Sequence, residues 1–370
     1  MKKVLLILVI VIIAYLFWAR MGRSEIESYE FRTVEHFSVF KKDSSSGNIV
    51  GIQPYMTNFD YQNENTFYKK LDFYLHEAKN RNWLHKNTTV VFPEHIASWL
   101  VAAGEKSSVY HADKINDAMR IMVLSNIPKF FINYIKSNVD DKVTDAAFQM
   151  KANKMVQIYQ SVFSRLAKEY EVNIIAGSIF LPNPSVTNNQ LIIGDGDIYN
   201  VSAVFLPNGN IDPLLIKKKY PVSTELPFCV KSEEDLPTYT TSSGSLGVAI
   251  CADSWYGEIY DALNKNNITT FIVPSYSTGY GWDDKWQGYD GSENPVEVDK
   301  SDIDNLTLEE AWHKYTIKRI EKTKIKTGIT VFLRGDIWDL GTDGSSFIFR
   351  NDSISTVPKT DRPVLFNVEI

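Results

Sequence analysis

Cysteine and histidine are scarce in this chain, and their scarcity excludes several kinds of site. The 370 residues include 2 cysteines, Cys229 and Cys251, and 6 histidines. Since two cysteines form one disulfide at most, the chain is not a disulfide-rich scaffold. No CxxC pair and no HExxH spacing occurs, so the sequence carries no zinc signature. We predict neither a metal site nor a cofactor.

An excess of positive charge is also missing. The formal net charge is −6 and the pI is near 5.6, so the chain offers no basic face to nucleic acid, and we exclude nucleic acid as a partner. Hydrophobic residues make up 44% of the sequence, as in an ordinary globular protein. The length allows one large domain or two smaller ones. A homo-oligomeric assembly stays open.

One long apolar run is present, at the N-terminus. Lys2 and Lys3 precede the uninterrupted apolar residues 4–19, and Arg20 and Arg23 close the run. The run is slightly short for a membrane span, but tilt and snorkelling of the flanking cations extend its reach. We predict a single transmembrane anchor over residues 1–23.

A cleaved signal peptide is the alternative to this anchor. Signal peptidases require small residues before the cut, whereas "LFWARM" is bulky, so we favour an uncleaved helix. The positive-inside rule then places the N-terminus in the cytoplasm and the body of this single-pass membrane protein on the non-cytoplasmic side.

The rest of the chain divides by pattern into a linker and a body. Residues 24–47 are polar and weakly patterned, which predicts a stalk. In residues 48–370, strand-like segments such as "NIVGIQPYM" and "NTTVVFPE" alternate with amphipathic helical segments, and later strands pair through turns. This order predicts one α/β domain with mixed β-sheets.

Three short motifs in the body carry reactive side chains. "VVFPE" ends an apolar strand at Glu94, "LLIKKKYPVSTELPF" carries three lysines and Glu225, and "LGVAICADSWYGEIY" places Cys251 where a strand ends. Catalytic groups often lie at such strand ends. Each motif alone also has an ordinary structural explanation, because single cysteines pack as small hydrophobes and lysine runs are usually solvated.

Taken in the order Glu, Lys, Cys, the motifs resemble those of the nitrilase (carbon–nitrogen hydrolase) superfamily from about Asn48 to the C-terminus. The segments "LAKEYEVNIIAGSIF" and "GSSFIF" are similar to further parts of that family. The resemblance implies an αββα sandwich with mixed sheets. After the cysteine it matches Asp253, Tyr256 and Glu258.

The resemblance also implies the site residues, which are Glu94, Lys218, Cys251 and Glu225. The lysine motif departs from the family pattern, because "IKKKYPVSTE" lacks the usual tyrosine two residues before the lysine. Lys217 and Lys218 therefore both qualify. We choose Lys218, since Tyr220 then takes the place of the histidine of the family motif.

In such a site Glu94 acts as the base, and Cys251 attacks the substrate carbon to form a thioester. Lys218 and the backbone N–H after the cysteine stabilise the oxyanion, and Glu225 positions the lysine or the attacking water. The predicted activity is hydrolysis of a non-peptide carbon–nitrogen bond of amide type. The alternatives are an N-acyltransferase that uses the same thioester and a catalytically silent binding module, which the survival of all three motifs disfavours.

Residues 119–135, "MRIMVLSNIPKFFINYI", form an apolar insert interrupted at Pro128. This insert is interpreted either as a core or lid helix pair or as a membrane-facing arm beside the active site. A membrane-anchored enzyme of this kind is also similar to the catalytic domain of apolipoprotein N-acyltransferases, although those have many spans and this chain has one. The predicted substrate is a small-molecule or lipid-like amide.

Residues 281–304 are predicted to be an acidic surface loop, because the spacing of their acids matches no calcium loop.

Overall fold

The computed structural model describes residues 2–23, 30–39, 47–241, 244–279, 281–291, 295 and 298–370. Its α-helices are α1 (Lys2–Arg20), α2 (Glu64–Asn80), α3 (Ser107–Tyr110), α4 (Ile115–Ser125), α5 (Ile127–Lys136), α6 (Lys142–Tyr170), α7 (Gly257–Lys265) and α8 (Leu308–Tyr315). Short 3₁₀ turns occupy Asn58–Tyr61, Ser98–Ala102, Cys251–Trp255, Lys300–Asp302 and Ile317–Lys322.

The strands are β1 (Glu35–Val39), β2 (Asn48–Gln53), β3 (Tyr55–Thr57), β4 (Thr88–Phe92), β5 (Asn173–Ala176), β6 (Ile179–Pro182), β7 (Ser185–Thr187), β8 (Gln190–Ile192), β9 (Ile198–Ser202) and β10 (Val204–Phe205). They continue as β11 (Ile216–Lys217), β12 (Thr238–Thr241), β13 (Gly244–Val248), β14 (Thr270–Ser275), β15 (Thr327–Phe332), β16 (Arg334–Asp336), β17 (Phe347–Arg350), β18 (Ser353–Thr356) and β19 (Val364–Glu369).

Two mixed sheets of six strands each form the centre of the body. The first has the order β1-β19-β2-β4-β5-β10, and β2, β4 and β5 run parallel. The second has the order β12-β13-β14-β15-β17-β18, and β13, β14 and β15 run parallel. A smaller sheet, β11-β9-β6, lies beside them.

Alternating side chains of the first sheet show how the layers stack. On β4, Val90 and Phe92 pack in one core with residues of α2 and α6, whereas Val91 packs in a second core with residues of the other sheet. Successive strand residues point to opposite faces, so the first sheet is sandwiched between helices and the second sheet. Helices α7 and α8 pack in that second core. The predicted α/β fold of αββα type is confirmed.

Part of the segment predicted as a stalk, residues 24–47, belongs to the first sheet. Strand β1 pairs in parallel with β19 along its whole length, from Glu35 opposite Val364 onward. Its composition is too polar for the apolar pattern of a central strand, and among the described residues it pairs with β19 alone, at the edge of the sheet. Residues 24–29 and 40–46 of the predicted stalk lie outside the described residues.

Helix α1 differs from the other helices in its exposure. Its side chains are solvent-exposed almost throughout, and of its residues only Ala19 is buried. Among the described residues it is the one helix long and apolar enough to cross a membrane, a test that a signal sequence also passes. Its last turns contact α4 and the start of α5.

Candidate active site

Cys251 lies where β13 ends and a 3₁₀ turn begins. Its backbone is left-handed, with φ of 48°, a region that non-glycine residues rarely occupy and that is common at functional sites. The side chain is buried, and its thiol donates a hydrogen bond to the Tyr276 carbonyl oxygen at 3.5 Å. Ser254 donates its hydroxyl to the Cys251 carbonyl oxygen at 2.7 Å and holds the turn closed.

Glu94 occupies the equivalent place on the first sheet, two residues after β4. The loop after β5 supports its turn, because the Ser178 hydroxyl accepts the His95 N–H at 2.9 Å. Gly177 approaches so closely that a Cβ atom there would lie 2.1 Å from the Pro93 carbonyl oxygen. The end of β5 therefore fixes the direction of the Glu94 side chain.

Lys218 follows β11 and reaches between two carboxylates. Its Nζ lies 2.8 Å from Glu94 Oε1 and 2.6 Å from Glu225 Oε2. All three side chains are buried. Lys217 instead pairs with Glu234 at 2.6 Å outside this cluster, because neighbouring strand residues point to opposite sides. Of the two lysines left open by the sequence, Lys218 is the one beside Glu94.

Glu225 is held by the chain around it and by a buried asparagine. Its Oε2 accepts the Val222 N–H at 2.9 Å. The Asn200 amide, on β9, donates to Glu225 Oε1 at 2.8 Å and to Glu94 Oε1 at 2.9 Å. Asn200 thus links the two carboxylates. It lies on β9 of the small third sheet, and Lys218 directly follows β11 of the same sheet.

His95 is the other group at the site that the sequence motifs do not identify. Its Nε2 lies 3.5 Å from Glu225 Oε1 and 3.8 Å from Glu94 Oε1, and its Nδ1 is 3.0 Å from the Ser98 hydroxyl. Its position directly after Glu94 is the available signal for His95. For Asn200 the signal is a polar residue within the otherwise largely apolar stretch "IYNVSAVF".

The charges of the cluster shift the pKa values of its members. Burial alone would lower the pKa of Lys218, but Glu225, Glu94 and Cys251 raise it well above its ordinary value. Burial alone would raise the pKa of Glu225, but Lys218 and His95 hold it well below its ordinary value. Both groups are therefore charged. They stabilise the fold from about the ordinary glutamate pKa of 4.5 to the ordinary lysine pKa of 10.5, and this stabilisation is lost below and above those limits.

The surroundings favour the neutral form of the Cys251 thiol, whereas they favour the charged forms of Lys218 and Glu225. Burial, and after it the charge of Glu94, raises its pKa well above the ordinary value, although Lys218 acts against the shift. Cys251 is therefore neutral at pH 7 in the free protein, where its thiol donates to the Tyr276 carbonyl oxygen, and Glu94 is near enough for its charge to act on the thiol.

Asp253 connects the lysine loop to the cysteine turn. Its Oδ1 accepts the backbone N–H groups of Lys219 at 3.0 Å and Tyr220 at 2.8 Å, and its Oδ2 accepts that of Ile250 at 3.0 Å. The residue is fully buried. One carboxylate thus fixes the residues next to Lys218 relative to the residue before Cys251.

A cavity of about 1110 Å³ opens onto these groups. Its aromatic lining residues include Trp255, Trp282, Trp286, Tyr289 and Trp312. Aliphatic lining residues come from α4 and α6, and α5 contributes Phe130; the aliphatic ones are Ile115, Met119, Val123, Leu124, Val143 and Ala147, and the polar residues Asn116, Arg120 and Thr144 of α4 and α6 also line the cavity. This volume exceeds the usual range for small-ligand pockets, about 300–1,000 Å³, so the site has room for a large apolar group.

The residues fit a metal ion poorly. Within the described part of the chain, Glu94, His95 and Glu225 form the one group of potential ligands that lie within 4.8 Å of one another. The Lys218 ammonium already contacts both of these carboxylates and supplies the cation that their charges require. An added metal ion would be repelled by this ammonium.

Comparison with known proteins identifies related sequences and structures. The family model described as "Carbon-nitrogen hydrolase" matches residues 115–289, which include Lys218, Glu225 and Cys251 but not Glu94. The chain is 24% identical over 148 residues to the deaminated glutathione amidase of Synechocystis sp. (strain PCC 6803 / GT-S), covering 37% of this chain and 51% of that one. It is 24% identical over 150 residues to the probable hydrolase YhcX of Bacillus subtilis (strain 168), covering 40% of this chain and 26% of that one.

The match thus spans about a quarter to a half of the curated relatives' length. Solved structures match over more of the chain. A mutant of the amidase from Nesterenkonia sp. AN1 in complex with butyramide aligns with a TM-score of 0.53 at 12% identity, over 88% of this chain and 91% of that one. A variant that carries the acetamide moiety of fluoroacetamide at its active-site cysteine aligns with a TM-score of 0.53 at 13% identity, over 89% and 92%. These neighbours have the same fold.

We predict that Asp253→Asn lowers both stability and activity. An amide group presents one acceptor oxygen where the carboxylate has two, so at least one buried backbone N–H loses its partner, at a cost of about 1–3 kcal/mol. The midpoint of thermal unfolding and the rate of amide hydrolysis measure the two effects. Asp261→Asn, on the exposed side of α7, is the matched control. Unchanged values for Asp253→Asn would contradict the role of this carboxylate.

Proposed function

Because this chain belongs to the nitrilase superfamily of carbon–nitrogen hydrolases, we propose that it hydrolyses an amide through a thioester on Cys251. The observation that carries the proposal is the buried cluster in which Lys218 lies between Glu94 and Glu225 beside the thiol. An acid–base group, a cation and a nucleophile meet there at one end of the cavity. These are the groups that acyl transfer requires.

The first step is attack by the thiol. The Cys251 proton passes to Glu94, and the Sγ–C bond forms as the carbonyl π electrons move to oxygen. Because the thiol is neutral in the free protein, proton transfer and attack occur together, as in general-base catalysis. The left-handed backbone of Cys251 projects the side chain from a strand end toward the cavity.

Lys218 and the backbone N–H of Ala252 stabilise the oxyanion. An ammonium has three N–H donors, and the Lys218 contacts with Glu94 and Glu225 leave one of them for the substrate oxygen. Burial keeps water from this charge and strengthens its interaction with the oxyanion.

The remaining steps return the site to its starting state. Glu94 gives its proton to the leaving nitrogen as the C–N bond breaks, and a thioester remains on Cys251. Water then attacks the thioester while Glu94 accepts its proton, the Sγ–C bond breaks, and the proton returns to sulfur. Glu225 keeps Lys218 and the Glu94 carboxylate in register throughout, directly and through Asn200.

Transfer of the same acyl group to an amine is the second candidate. The width of the cavity favours it, because lining residues reach from α4 to the aromatic residues around Trp286 and leave room for an acceptor beside the acyl group. The product separates the two reactions, since hydrolysis releases a free acid and transfer makes a new amide.

We predict that Cys251→Ala abolishes turnover while Cys229→Ala retains it. Both cysteines are free and buried, so the pair separates loss of the nucleophile from loss of a buried thiol. Acyl-enzyme is measured by intact-protein mass spectrometry after incubation with amides of increasing chain length, and product by release of amine. A mass increment in Cys251→Ala equal to that of the unmutated chain would disprove the assignment.

Lys218→Ala is expected to lower kcat by about a hundredfold or more, the scale of losing one oxyanion donor. Lys217→Ala should change it little, because its pair with Glu234 lies near the surface, where such pairs contribute roughly 0–1 kcal/mol. Rates are compared at a temperature at which circular dichroism shows each variant folded, since Lys218→Ala leaves two buried carboxylates without their cation. The reverse order of the two variants would assign the role to Lys217.

We also propose that α1 is a retained single-pass anchor with the enzyme on the non-cytoplasmic side. The C-terminal end of α1 contacts the body of the protein, which favours a retained helix over a signal peptide that is cut away. Arg23 forms an ion pair with the buried Glu105 at 3.0 Å, and Lys106 packs over the Trp18 ring at 3.4 Å. Such contacts fix the end of α1 against the body.

For this topology we predict a full-length, membrane-bound chain that external protease digests. Cells are fractionated, the N-terminal peptide is sought by mass spectrometry, and protease is added after any outer barrier has been opened. A cytoplasmic enzyme that resists digestion serves as the control. A soluble chain that begins after residue 19 would show a cleaved signal peptide, and protection from protease would show a cytoplasmic catalytic domain.

A further inference from the structure

We propose that α5 lies in the membrane interface beside α1 and that the cavity next to it receives the acyl chain of a lipid amide from the bilayer. This inference rests on the proposed function for its chemistry and names the substrate class. Its membrane contact rests on separate observations on α4, α5 and α1.

The outer side of α5 is apolar and uncovered. Phe131, Ile132 and Ile135 are 57%, 57% and 67% exposed, and Ile127 is 44% exposed. No residue of α5 is buried. Large apolar side chains clustered on one side of an amphipathic helix are typical of helices that lie in a lipid interface.

The charge around this surface has the sign that anionic lipids attract. Helix α5 itself carries Lys129 and Lys136 and no acidic residue, while Asp117 of α4 and Asp140 lie at the two ends of the apolar stretch, in a chain whose net charge is −6. Lys129 and Lys136 are exposed. Basic residues next to an apolar helix face strengthen its binding to anionic membranes.

Contacts with α1 set the position of α5 relative to the bilayer. The Ile127 N–H donates to the Tyr15 hydroxyl at 3.0 Å. Arg23 donates to the Ser125 carbonyl at 3.2 Å and to the Asn126 side chain at 3.1 Å. The start of α5 is therefore level with the last turns of α1, where Tyr15 and Trp18 supply the aromatic residues that favour the membrane boundary. If α1 spans, α5 cannot lie far from the lipid surface.

The same helices form the apolar side of the cavity. Met119, Val123 and Phe130 line it, and Leu124 lines it while remaining 42% exposed. Leu124 therefore lies at the rim of the same cavity that Cys251 lines. An acyl chain that enters past Leu124 would leave one apolar environment for another and bring its amide to the thiol.

The contact with lipid is tested on the full chain in vesicles of phosphatidylcholine and phosphatidylglycerol. In a Cys229→Ala/Cys251→Ala background, Ile132→Cys is labelled with an environment-sensitive fluorophore, and vesicles contain lipids with a nitroxide on the acyl chain. Ile192→Cys is the control, since Ile192 is also an exposed apolar residue, on β8. We expect a blue-shifted, strongly quenched signal at 132 and little quenching at 192.

Equal quenching at the two positions would overturn the membrane contact. A label at 132 that is shielded from water but not quenched by the nitroxide lipids would also overturn it, because another protein surface would then cover α5.

The substrate class is tested by comparing oleamide in the vesicles with butyramide in solution. Binding gains roughly fourfold for each methylene that leaves water, so we expect kcat/KM for oleamide to exceed that for butyramide by about a hundredfold or more. Phe131→Asp/Ile135→Asp should lower the oleamide rate at least about tenfold and leave the butyramide rate unchanged. As a control, Leu214→Asp places an aspartate at an exposed apolar residue outside α5 and should leave both rates unchanged.

Equal turnover of the two amides, or turnover of neither, overturns the lipid-amide assignment. Failure of the proposed function is separate from this, because turnover that survives in Cys251→Ala would reject the thioester mechanism whatever the label at 132 reports.

Discussion

The contact on which the site depends is the Lys218 ammonium held between the carboxylates of Glu94 and Glu225. Burying charges is costly unless their partners and hydrogen bonds are complete. Here Asn200 and the Val222 N–H supply further hydrogen bonds to the two carboxylates. Removing Lys218 would leave two buried carboxylates without a cation, and removing either glutamate would take one of the two carboxylate partners from the ammonium, so the cluster constrains the positions of all the elements that contribute to it.

Those elements belong to different layers of the fold. Glu94 follows β4 of the first sheet, Cys251 follows β13 of the second, and Lys218 follows β11 of the small third sheet. The site forms when the two large sheets stack with the ends of their parallel strands on the same side. Asp253 adds a direct tie between the lysine loop and the cysteine turn. Assembly of the charged cluster therefore depends on the packing of the apolar sheets against each other.

The resemblance of three motifs to a known family predicted Glu94, Lys218, Glu225 and Cys251 as site residues, and the structure places these four side chains around one cavity. His95 and Asn200 act through spatial proximity to Glu225, which lies 130 and 25 positions from them in the sequence, and one-dimensional patterns do not contain such distances. The sequence did not predict strand β1 for a related reason. Its place in the sheet comes from pairing with β19, at the other end of the chain. The sequence left two interpretations of the apolar insert, residues 119–135, because an apolar segment has the same composition whether protein or lipid covers it.

The neutral thiol and the apolar cavity have a common physical basis. Burial raises the pKa of Cys251, so the free protein holds a neutral, poorly reactive thiol near the Glu94 carboxylate that we propose as its base. In the reaction we propose, an acyl group that fills the cavity excludes more water and strengthens the attraction of Lys218 for the substrate oxygen. Binding energy from the apolar chain is then used at the carbonyl, where charge develops. A short amide fills less of the cavity and leaves more water around the oxyanion, so recognition of the chain and acceleration of the chemical step depend on the same exclusion of water.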